Sequence, residues 1–301
     1  MTELLRIAPE VEQALHEGHP VVALETTLVA HGFPPRAGVE VGLAAEAAVR
    51  AEGAVPATVG VLDGVVSVGL DVLQLERFGA AGAEARKAGP RDLAACAAQG
   101  SLGATTVGGT LALCRLAGIR FLGTGGIGGV HRGFAERPDV SADLAELART
   151  QALVVGSGAK SLLDVPATVE VLETLGVPVL GYRTDELPLF YAAAGGPSVS
   201  ARADSPDEAA RIARAHWQLG GNGLLLGNAP DNGVDVEPLL EEALRAAAAE
   251  NVTGQALTPF VLSFVHERSG GRTLEVNRDL VVANAGLAAE VAVAFSTTSP
   301  S

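Results

Sequence analysis

Short β-branched runs alternate with alanine-, leucine- and glutamate-rich segments along almost the whole chain. Strands of a parallel sheet are buried on both faces and read as continuous apolar runs, while helices supply the connections between them. The alternation therefore predicts an α/β protein of three layers, α/β/α, around a mixed, mostly parallel sheet. Strands are predicted at residues 21–29, 58–62, 105–107, 121–124, 153–157, 179–182 and 223–227.

Capping residues mark the predicted helices. The helix predicted at 36–52 stops before Gly53, and glycine is favoured just past a helix C-terminus. Ser205, with Glu208 three residues later, has the pattern of a capping box that opens a helix to about Leu219.

Two further helices are predicted near the C-terminus. One begins at Thr258, and the other spans 274–295, where polar residues interrupt the apolar pattern too often for a membrane span. Because no repeat or linker divides the chain, one domain over 1–301 is predicted, with a flexible tail at 296–301.

The charge and cysteine content exclude several classes of protein. A net charge of −14 opposes binding to a nucleic acid polymer, although one lysine and a few amides can hold a small phosphorylated ligand. Cys96 and Cys114 lack the spacing of a zinc site and are predicted to be buried free thiols. Without a targeting pattern or a long apolar run, a cytoplasmic protein with no membrane partner is expected.

Only two lysines, Lys87 and Lys160, stand among the 21 cationic residues. Arginine can replace lysine as a solvated charge, but only the amine can lose its proton and attack a carbonyl. The two positions are therefore candidates for chemistry, although chance survival in an alanine-rich sequence stays open.

Lys160 follows an apolar strand and a small-residue turn that is predicted to open into a helix. Ligands collect beyond the carboxyl ends of strands in open α/β sheets. A lysine in water is nearly all ammonium at neutral pH, so Schiff-base chemistry requires a lowered pKa or a neighbouring base. The alternative is a lysine at a helix start that points to solvent.

Glu25 interrupts an apolar predicted strand, and His31 follows at the same rim. A carboxylate is costly to bury unless it is paired or protonated, and either condition suits a general acid or base. The alternative is that Glu25 alternates onto a solvated face of the sheet.

A glycine-rich segment at 123–133 follows another predicted strand. Such turns cradle phosphates, but they also occur simply as tightly packed loops. Farther along, Ser141 has the pattern of a helix N-cap between Asp139 and Asp143. The two carboxylates could bind a divalent metal, whereas complementarity to the helix dipole explains Asp143 without any ligand.

The string TGGIGGVHRG at 124–133 is highly specific. It occurs together with ALETT at 23–27, HG at 31–32, GAVPAT at 53–58, GATTV at 103–107, SADL at 141–144, GAKS at 158–161 and TPF at 258–260. Between about residue 7 and residue 294, these segments resemble the pseudouridine-5′-phosphate glycosidase family, which includes the indigoidine-synthase A-like proteins.

The resemblance implies a reversible reaction in which pseudouridine 5′-phosphate and water give uracil and ribose 5-phosphate. It also implies a divalent metal cofactor, typically Mn²⁺, and a homotrimer. By resemblance, Lys160 is the nucleophile that forms an imine with C1′ of the ring-opened sugar, Glu25 is the proton donor, and Asp139 is the metal ligand. The implied substrate-binding residues are Lys87, Val107, His131, Ser141, Ala142, Asp143 and Asn284.

This chemistry agrees with the residue types. A C-glycoside has no glycosidic oxygen to protonate, so an iminium at C1′ offers another route, which needs an amine beside an acid. A phosphate clamp is expected at Lys87, with Arg86 and Arg91 close in sequence to assist. The chain departs from the family at 88–90, where Ala-Gly-Pro replaces a common serine and arginine, so phosphate contacts there are not carried over.

Two other functions stay open. A sugar-phosphate lyase of the class I aldolase type would share the imine but would not release uracil. A non-catalytic sugar-phosphate-binding protein would bind the same ligand without covalent capture.

Overall fold

A computed structural model describes residues 4–136, 138–252 and 257–297, without the side chains of 258 and 259. Its strands are β1 (Leu5–Ile7), β2 (Val21–Glu25), β3 (Val55–Leu62), β4 (Val65–Val68), β5 (Arg86–Ala88), β6 (Gly103–Thr105), β7 (Phe121–Gly123), β8 (Val130–His131), β9 (Leu153–Gly156), β10 (Leu163–Asp164), β11 (Val179–Tyr182), β12 (Ala201–Ala203) and β13 (Leu224–Asn228). Its helices are α1 (Pro9–Glu17), α2 (Pro35–Ala51), α3 (Val72–Ala81), α4 (Leu93–Ala98), α5 (Val107–Ala117), α6 (Ala142–Leu147), α7 (Val165–Thr174), α8 (Pro206–Gln218), α9 (Glu237–Ala249), α10 (Leu257–Arg268) and α11 (Arg272–Thr297).

The strands form one large sheet in the order β1-β4-β3-β2-β7-β9-β13-β11-β12, with β6 paired to β3 and β5 to β6. Neighbouring strands are parallel except at β3, against which β4 and β6 run antiparallel. The central strand β9 is buried along its whole length, because helices cover both faces of the sheet. The predicted α/β class with a mixed, mostly parallel sheet is confirmed.

The chain changes direction across the sheet between β2 and β7, which are neighbours. From β2 it passes through α2 to β3 on one side, and from β7 it passes through α6 to β9 on the other. Because parallel crossovers are right-handed, α2 and α6 lie on opposite faces of the sheet. A crevice therefore opens beyond the carboxyl ends of β2 and β7, where doubly wound sheets bind ligands.

The two helical layers differ in their contacts. Helices α2, α8 and α11 pack together on one face, whereas α5 packs against α6 on the other. Helix α11 runs antiparallel to β7, since Phe295 contacts Phe121 at the start of that strand and Asn284 reaches the carbonyl of Thr124 just past its end. The first turns of α11 therefore extend beyond the carboxyl edge of the sheet.

Helix α11 is long and apolar enough to cross a membrane by length and composition alone. However, 56% of its most apolar stretch is buried inside the protein, as in the core helix of a globular domain. The prediction that this segment is an interrupted core helix agrees with its packing.

The seven predicted strands are present, and β11 has the predicted bounds of 179–182, but the ends of the other six differ from the predictions. The strand predicted at 21–29 ends at Glu25, because the chain turns into a π-helical segment at Leu28–Gly32. The strand predicted at 105–107 spans Gly103–Thr105, since Thr106 caps α5 through its side chain. Sequence patterns missed the short strands β1, β4, β5, β8, β10 and β12 and gave no sign of the β3–β4 hairpin.

The predicted helix cap at Ser205 agrees with the structure better than the predicted strand ends do. Ser205 accepts a hydrogen bond from the N–H of Glu208 at 3.2 Å, but the Glu208 carboxylate bonds to the N–H of Asp204, so the capping box is only half formed.

Cys96 in α4 and Cys114 in α5 are buried free thiols, as predicted.

Two predicted boundaries are wrong. Ser296 and Thr297 belong to α11, and the rest of the tail predicted at 296–301 lies outside the described residues. The turn at Lys160 does not open into a helix, because β10 intervenes before α7 begins at Val165.

Candidate active site

Glu25 closes β2 at the crevice and is only 3% exposed. Its carboxylate accepts hydrogen bonds from the hydroxyls of Thr27 and Thr124, the latter at 2.5 Å. Burial raises the pKa of Glu25, although the positive charge of Lys160 and the two hydroxyls act in the opposite direction. The solvated alternative is therefore wrong, and burial favours a neutral carboxyl group that can donate a proton.

Lys160 lies in a segment that continues the pairing of β7 with β9 beyond the strand ends. The N–H of Ile127 donates to the carbonyl of Gly158 at 3.0 Å, and the N–H of Lys160 donates back to the carbonyl of Ile127 at 3.1 Å. Within the described ranges, the Lys160 amine has no hydrogen bond or ion pair. The backbone is thus held firmly while the amine stays available for a ligand.

The glycine-rich segment packs tightly against its neighbours. A Cβ at Gly126 would lie 2.8 Å from the carbonyl oxygen of Gly158, and one at Gly128 would overlap the side chain of Ser141. Several amides of the loop already donate to protein acceptors; they belong to Ile127, Gly128 and Val130. These contacts favour the tightly packed alternative over an open phosphate cradle.

Asp143 joins the glycine-rich segment to α5. It is 5% exposed, and its two oxygens accept from the N–H groups of Gly108 at 2.7 Å and Gly128 at 2.8 Å. Ser141 caps α6 as predicted, because its Oγ accepts from the N–H of Asp143 at 3.2 Å, and Ala142 is the first helical residue. Since both carboxylate oxygens are engaged, Asp143 shapes the crevice, and its contact with a substrate stays a prediction.

Lys87 lies in β5, which is tied to the start of α5 by a 3.1 Å bond from the N–H of Thr106 to the carbonyl of Ala88. Its side chain is open to solvent on one side, yet the surrounding walls exclude enough water to lower its pKa. Burial is the leading cause, and the positive charge of Lys160 is the next. A common crevice for the two lysines stays a prediction.

Three carboxylates oppose the lowering of the Lys87 pKa. The negative charges of Asp143, Glu25 and Asp139 all act to raise its pKa. The backbone gives a narrower statement: Glu25 ends β2, while Lys160 and Asp143 bond to the glycine-rich segment that follows β7. A shared site for all five charged candidates stays a prediction.

The two arginines expected to assist Lys87 bind elsewhere. Arg86 donates to Gln99 at 3.2 Å and to Asp92 at 3.4 Å, while Arg91 is 82% exposed and approaches Asp92 at 3.9 Å. Their engagement with Asp92 does not support a shared phosphate clamp.

Two more predicted residues lie at the rim. Val107 is the first residue of α5, and its N–H has no acceptor within the described ranges, so the positive end of the helix faces the crevice. His31 contacts the carbonyl of Ala85 through Nε2 at 3.0 Å, and its pKa is lowered by burial and also by the charge of Lys87.

Asn284 is completely buried beneath the crevice. Its Nδ2 donates to the carbonyl of Thr124 at 2.8 Å and to Ser157 Oγ at 3.1 Å, while its Oδ1 accepts from Asn228 at 3.0 Å. The side chain thus ties together the ends of β7, β9 and β13. Its contact with a substrate stays a prediction.

The predicted metal ligand Asp139 lies in an exposed loop, 3.9 Å from Nε2 of His131. Among the described residues, no group of three or more His, Cys, Asp or Glu side chains could hold a metal ion. One carboxylate beside an imidazole fits a Mn²⁺ or Mg²⁺ ion that keeps most of its ligands as water or substrate oxygens. Metal binding at Asp139 stays a prediction.

A cavity of about 690 Å³ lies beside the crevice rather than in it. Arg132, Ser161 and Glu237 contribute to its lining, whereas Glu25 and Lys160 do not. Arg132 spans it with bonds to Glu237 and to the carbonyl of Ser161. The charged groups of this cavity are therefore different from the catalytic candidates, and Arg132 and Glu237 are paired with each other.

Sequence reasoning missed the two threonines that hold Glu25. Thr27 and Thr124 both lie in the conspicuous strings ALETT and TGGIGGVHRG, which was a usable signal. Their convergence depends on the pairing of β2 with β7, which no local pattern reveals.

Comparisons with known proteins identify the family of this chain. A family model described as indigoidine synthase A like protein matches residues 10–294. Pseudouridine-5′-phosphate glycosidases from Herpetosiphon aurantiacus and Escherichia coli are 48% and 44% identical; the alignments cover 98% and 96% of this chain and 99% and 95% of theirs. A crystal structure of the prealnumycin C-glycosynthase AlnA in complex with ribulose 5-phosphate superposes with a TM-score of 0.89 at 40% identity, over 98% of both chains. The chain belongs to the indigoidine synthase A-like family.

Proposed function

We propose that this protein is a pseudouridine-5′-phosphate glycosidase, which reversibly cleaves the C-glycosidic bond to give uracil and ribose 5-phosphate. Relatives with that name align over nearly the whole chain, and a solved relative is a C-glycosynthase in complex with a pentulose phosphate. The observation that supports the proposal is a buried acid, Glu25, at the end of β2, where the strand order reverses. Glu25 bonds to Thr124 just past β7, and the Lys160 backbone bonds to Ile127 in the same segment after β7.

The reaction proceeds through an imine on Lys160. The amine bonds to C1′ as the bond from C1′ to the ring oxygen breaks and that oxygen takes a proton. The nitrogen lone pair then forms the C=N bond while the C1′–C5 bond breaks, and C5 of uracil keeps the electron pair and takes a proton from Glu25. Water adds to the iminium and releases ribose 5-phosphate and the free amine.

The other candidates bind the phosphate end of the substrate. Lys87 supplies a positive charge, and the free N–H of Val107 supplies a donor at the positive end of α5. A divalent cation at Asp139, Mn²⁺ by family resemblance, would supply further charge near the anionic substrate. A cytoplasmic homotrimer is part of the same proposal, and light scattering after size exclusion tests the oligomeric state.

Borohydride trapping distinguishes this function from its alternatives. Incubation with ribose 5-phosphate and borohydride is expected to add a reduced sugar phosphate to Lys160, as peptide mass analysis would reveal. Incubation with pseudouridine 5′-phosphate is expected to release uracil. Adduct formation without uracil release would favour the aldolase-type lyase, and ligand binding without an adduct would favour the binding protein. Label on Lys87 would contradict the assignment of the nucleophile.

A further inference from the structure

Three buried polar side chains lie along α11: Thr273, Asn277 and Asn284. Their spacings of four and seven residues keep them on one helix face, the face toward the strand ends. Two of them are satisfied, since Thr273 bonds to the His266 ring and to Ser269, while Asn284 bonds to three strand ends.

Asn277 differs from both neighbours. It is 6% exposed, and its Oδ1 is buried without a hydrogen-bond partner. Its Nδ2 also lacks a partner within the described part of the chain. Leaving a buried amide unsatisfied is unfavourable, so a carboxamide with both ends free is suited to an external ligand.

The carboxamide lies close to the backbone of Gly125, just past the end of β7. A Cβ at Gly125 would lie 3.5 Å from Oδ1 of Asn277, and Gly125 follows Thr124, whose hydroxyl bonds to Glu25. Because α11 runs antiparallel to β7, Asn277 lies about two helical turns beyond Asn284, past the carboxyl edge of the sheet.

The position of the phosphate clamp orients the substrate. The start of α5, to which the strand that carries Lys87 is tied, lies on the face opposite α11, and Glu25 ends a strand between the two layers. In a nucleoside monophosphate the base and the phosphate project from opposite ends of the sugar. If the phosphate lies at Lys87, the base is directed toward α11, an orientation that rests on the proposed function.

The chemistry of the base matches the free carboxamide. Uracil carries ring N–H groups next to carbonyl oxygens, so it presents a donor beside an acceptor. A carboxamide offers the complementary acceptor and donor. We propose that Asn277 determines specificity for the pyrimidine base, with Oδ1 accepting from a ring N–H and Nδ2 donating to the adjacent carbonyl oxygen.

The test separates base binding from imine formation. In the synthesis direction, Asn277→Leu, which keeps the branched shape but removes both polar atoms, is expected to raise the KM for uracil about 10- to 100-fold. Borohydride trapping of ribose 5-phosphate alone is expected to stay unchanged, because no base takes part. Arg278→Ala, at the exposed neighbouring position, is the matched control and should alter neither value.

Uracil methylated at one ring nitrogen provides a second measurement. The wild-type protein should reject the analogue that blocks the bonded N–H, and Asn277→Leu should lose that discrimination. An unchanged uracil KM, an unchanged discrimination, or a parallel loss of trapping would overturn the proposal, since a parallel loss indicates a structural effect through Gly125. Absence of trapping in the wild-type protein would instead overturn the proposed function, and this inference with it.

Discussion

The amino and carboxyl edges of the central sheet use the same strands for opposite purposes. At the amino edge, the Phe121 ring packs edge-on against Trp217 and Phe295, with ring centroids 6.0 and 5.5 Å away. Arg214 lies over Phe295 and donates to its carbonyl at 2.5 Å, which satisfies the end of α11. Aromatic packing and capped backbone groups dominate this edge.

At the carboxyl edge, several polar and charged groups have shifted pKa values or lack hydrogen-bond partners. Glu25 has a raised pKa, Lys87 a lowered one, and the Lys160 amine and the Asn277 carboxamide lack partners within the described ranges. Such groups weaken a fold unless a ligand compensates them. We infer from this difference between the two edges that the amino edge stabilises the sheet. The carboxyl edge, in contrast, has charged and hydrogen-bonding groups available for a substrate.

The largest expected effect is at Lys160. Lys160→Arg keeps the positive charge but cannot form an imine, so uracil release should fall by about 10³-fold or more. The melting temperature should stay close to that of the wild-type protein, since the amine has no protein partner to lose. Uracil release, followed by chromatography, and a thermal melt test this; turnover near the wild-type rate would refute the imine mechanism.

The matching change at the amino edge should affect stability instead. Trp217→Ala removes a buried ring from the aromatic cluster and should lower the free energy of unfolding by about 3–5 kcal/mol. The kcat/KM of the folded fraction should change by less than about twofold. Urea unfolding and assays well below the transition give the two values, and a large loss of activity without destabilisation would contradict the division of roles between the edges.

A smaller effect is expected at Lys87. Lys87→Met should raise the KM for pseudouridine 5′-phosphate by about 10- to 100-fold with little change in kcat, because a phosphate contact contributes mainly to binding. Lys87→Arg should have a milder effect, since it retains the charge. Arg91→Ala is the control, because Arg91 is largely exposed and its nearest partner is Asp92. A fall in kcat alone would show that Lys87 acts in the chemical step.

The pH dependence should give the smallest signal. Burial raises the pKa of Glu25 in the folded protein above its ordinary value of 4.5, so between these two pKa values the folded state binds more protons than the unfolded state. Stability contributed at Glu25 therefore falls as the pH rises from about 4.5 through the folded pKa. Glu25→Gln cannot lose a proton in this range, so it should not show this pH-dependent loss of stability. The free energy of unfolding of the variant, minus that of the wild-type protein, should therefore increase with pH over that window. Denaturant titrations at several pH values measure the free energy of unfolding of both proteins. If the two free energies changed in parallel with pH, the result would argue against a buried neutral acid.

The sequence predicted the chemical groups better than their surroundings. Glu25 and Lys160 were selected because a carboxylate in an apolar run and a rare amine are unusual in themselves. Thr124 was missed as the partner of Glu25, because the two lie 99 residues apart and meet only through the pairing of β2 with β7. The expected help of Arg86 for Lys87 was not supported, since successive side chains in a strand point to opposite faces of the sheet.

By itself, the sequence determined the alternation of strands and helices, the caps of α6 and α8, and the identity of the charged candidates. These features depend on residue type and on periodicity over a few positions, which are local properties. Only the tertiary structure decided that β2 and β7 are neighbours, that Glu25 is buried, and that Asn277 has no hydrogen-bond partner among the described residues while Asn284 has several. Strand order and burial arise from contacts between distant segments, so no single stretch of sequence contains them.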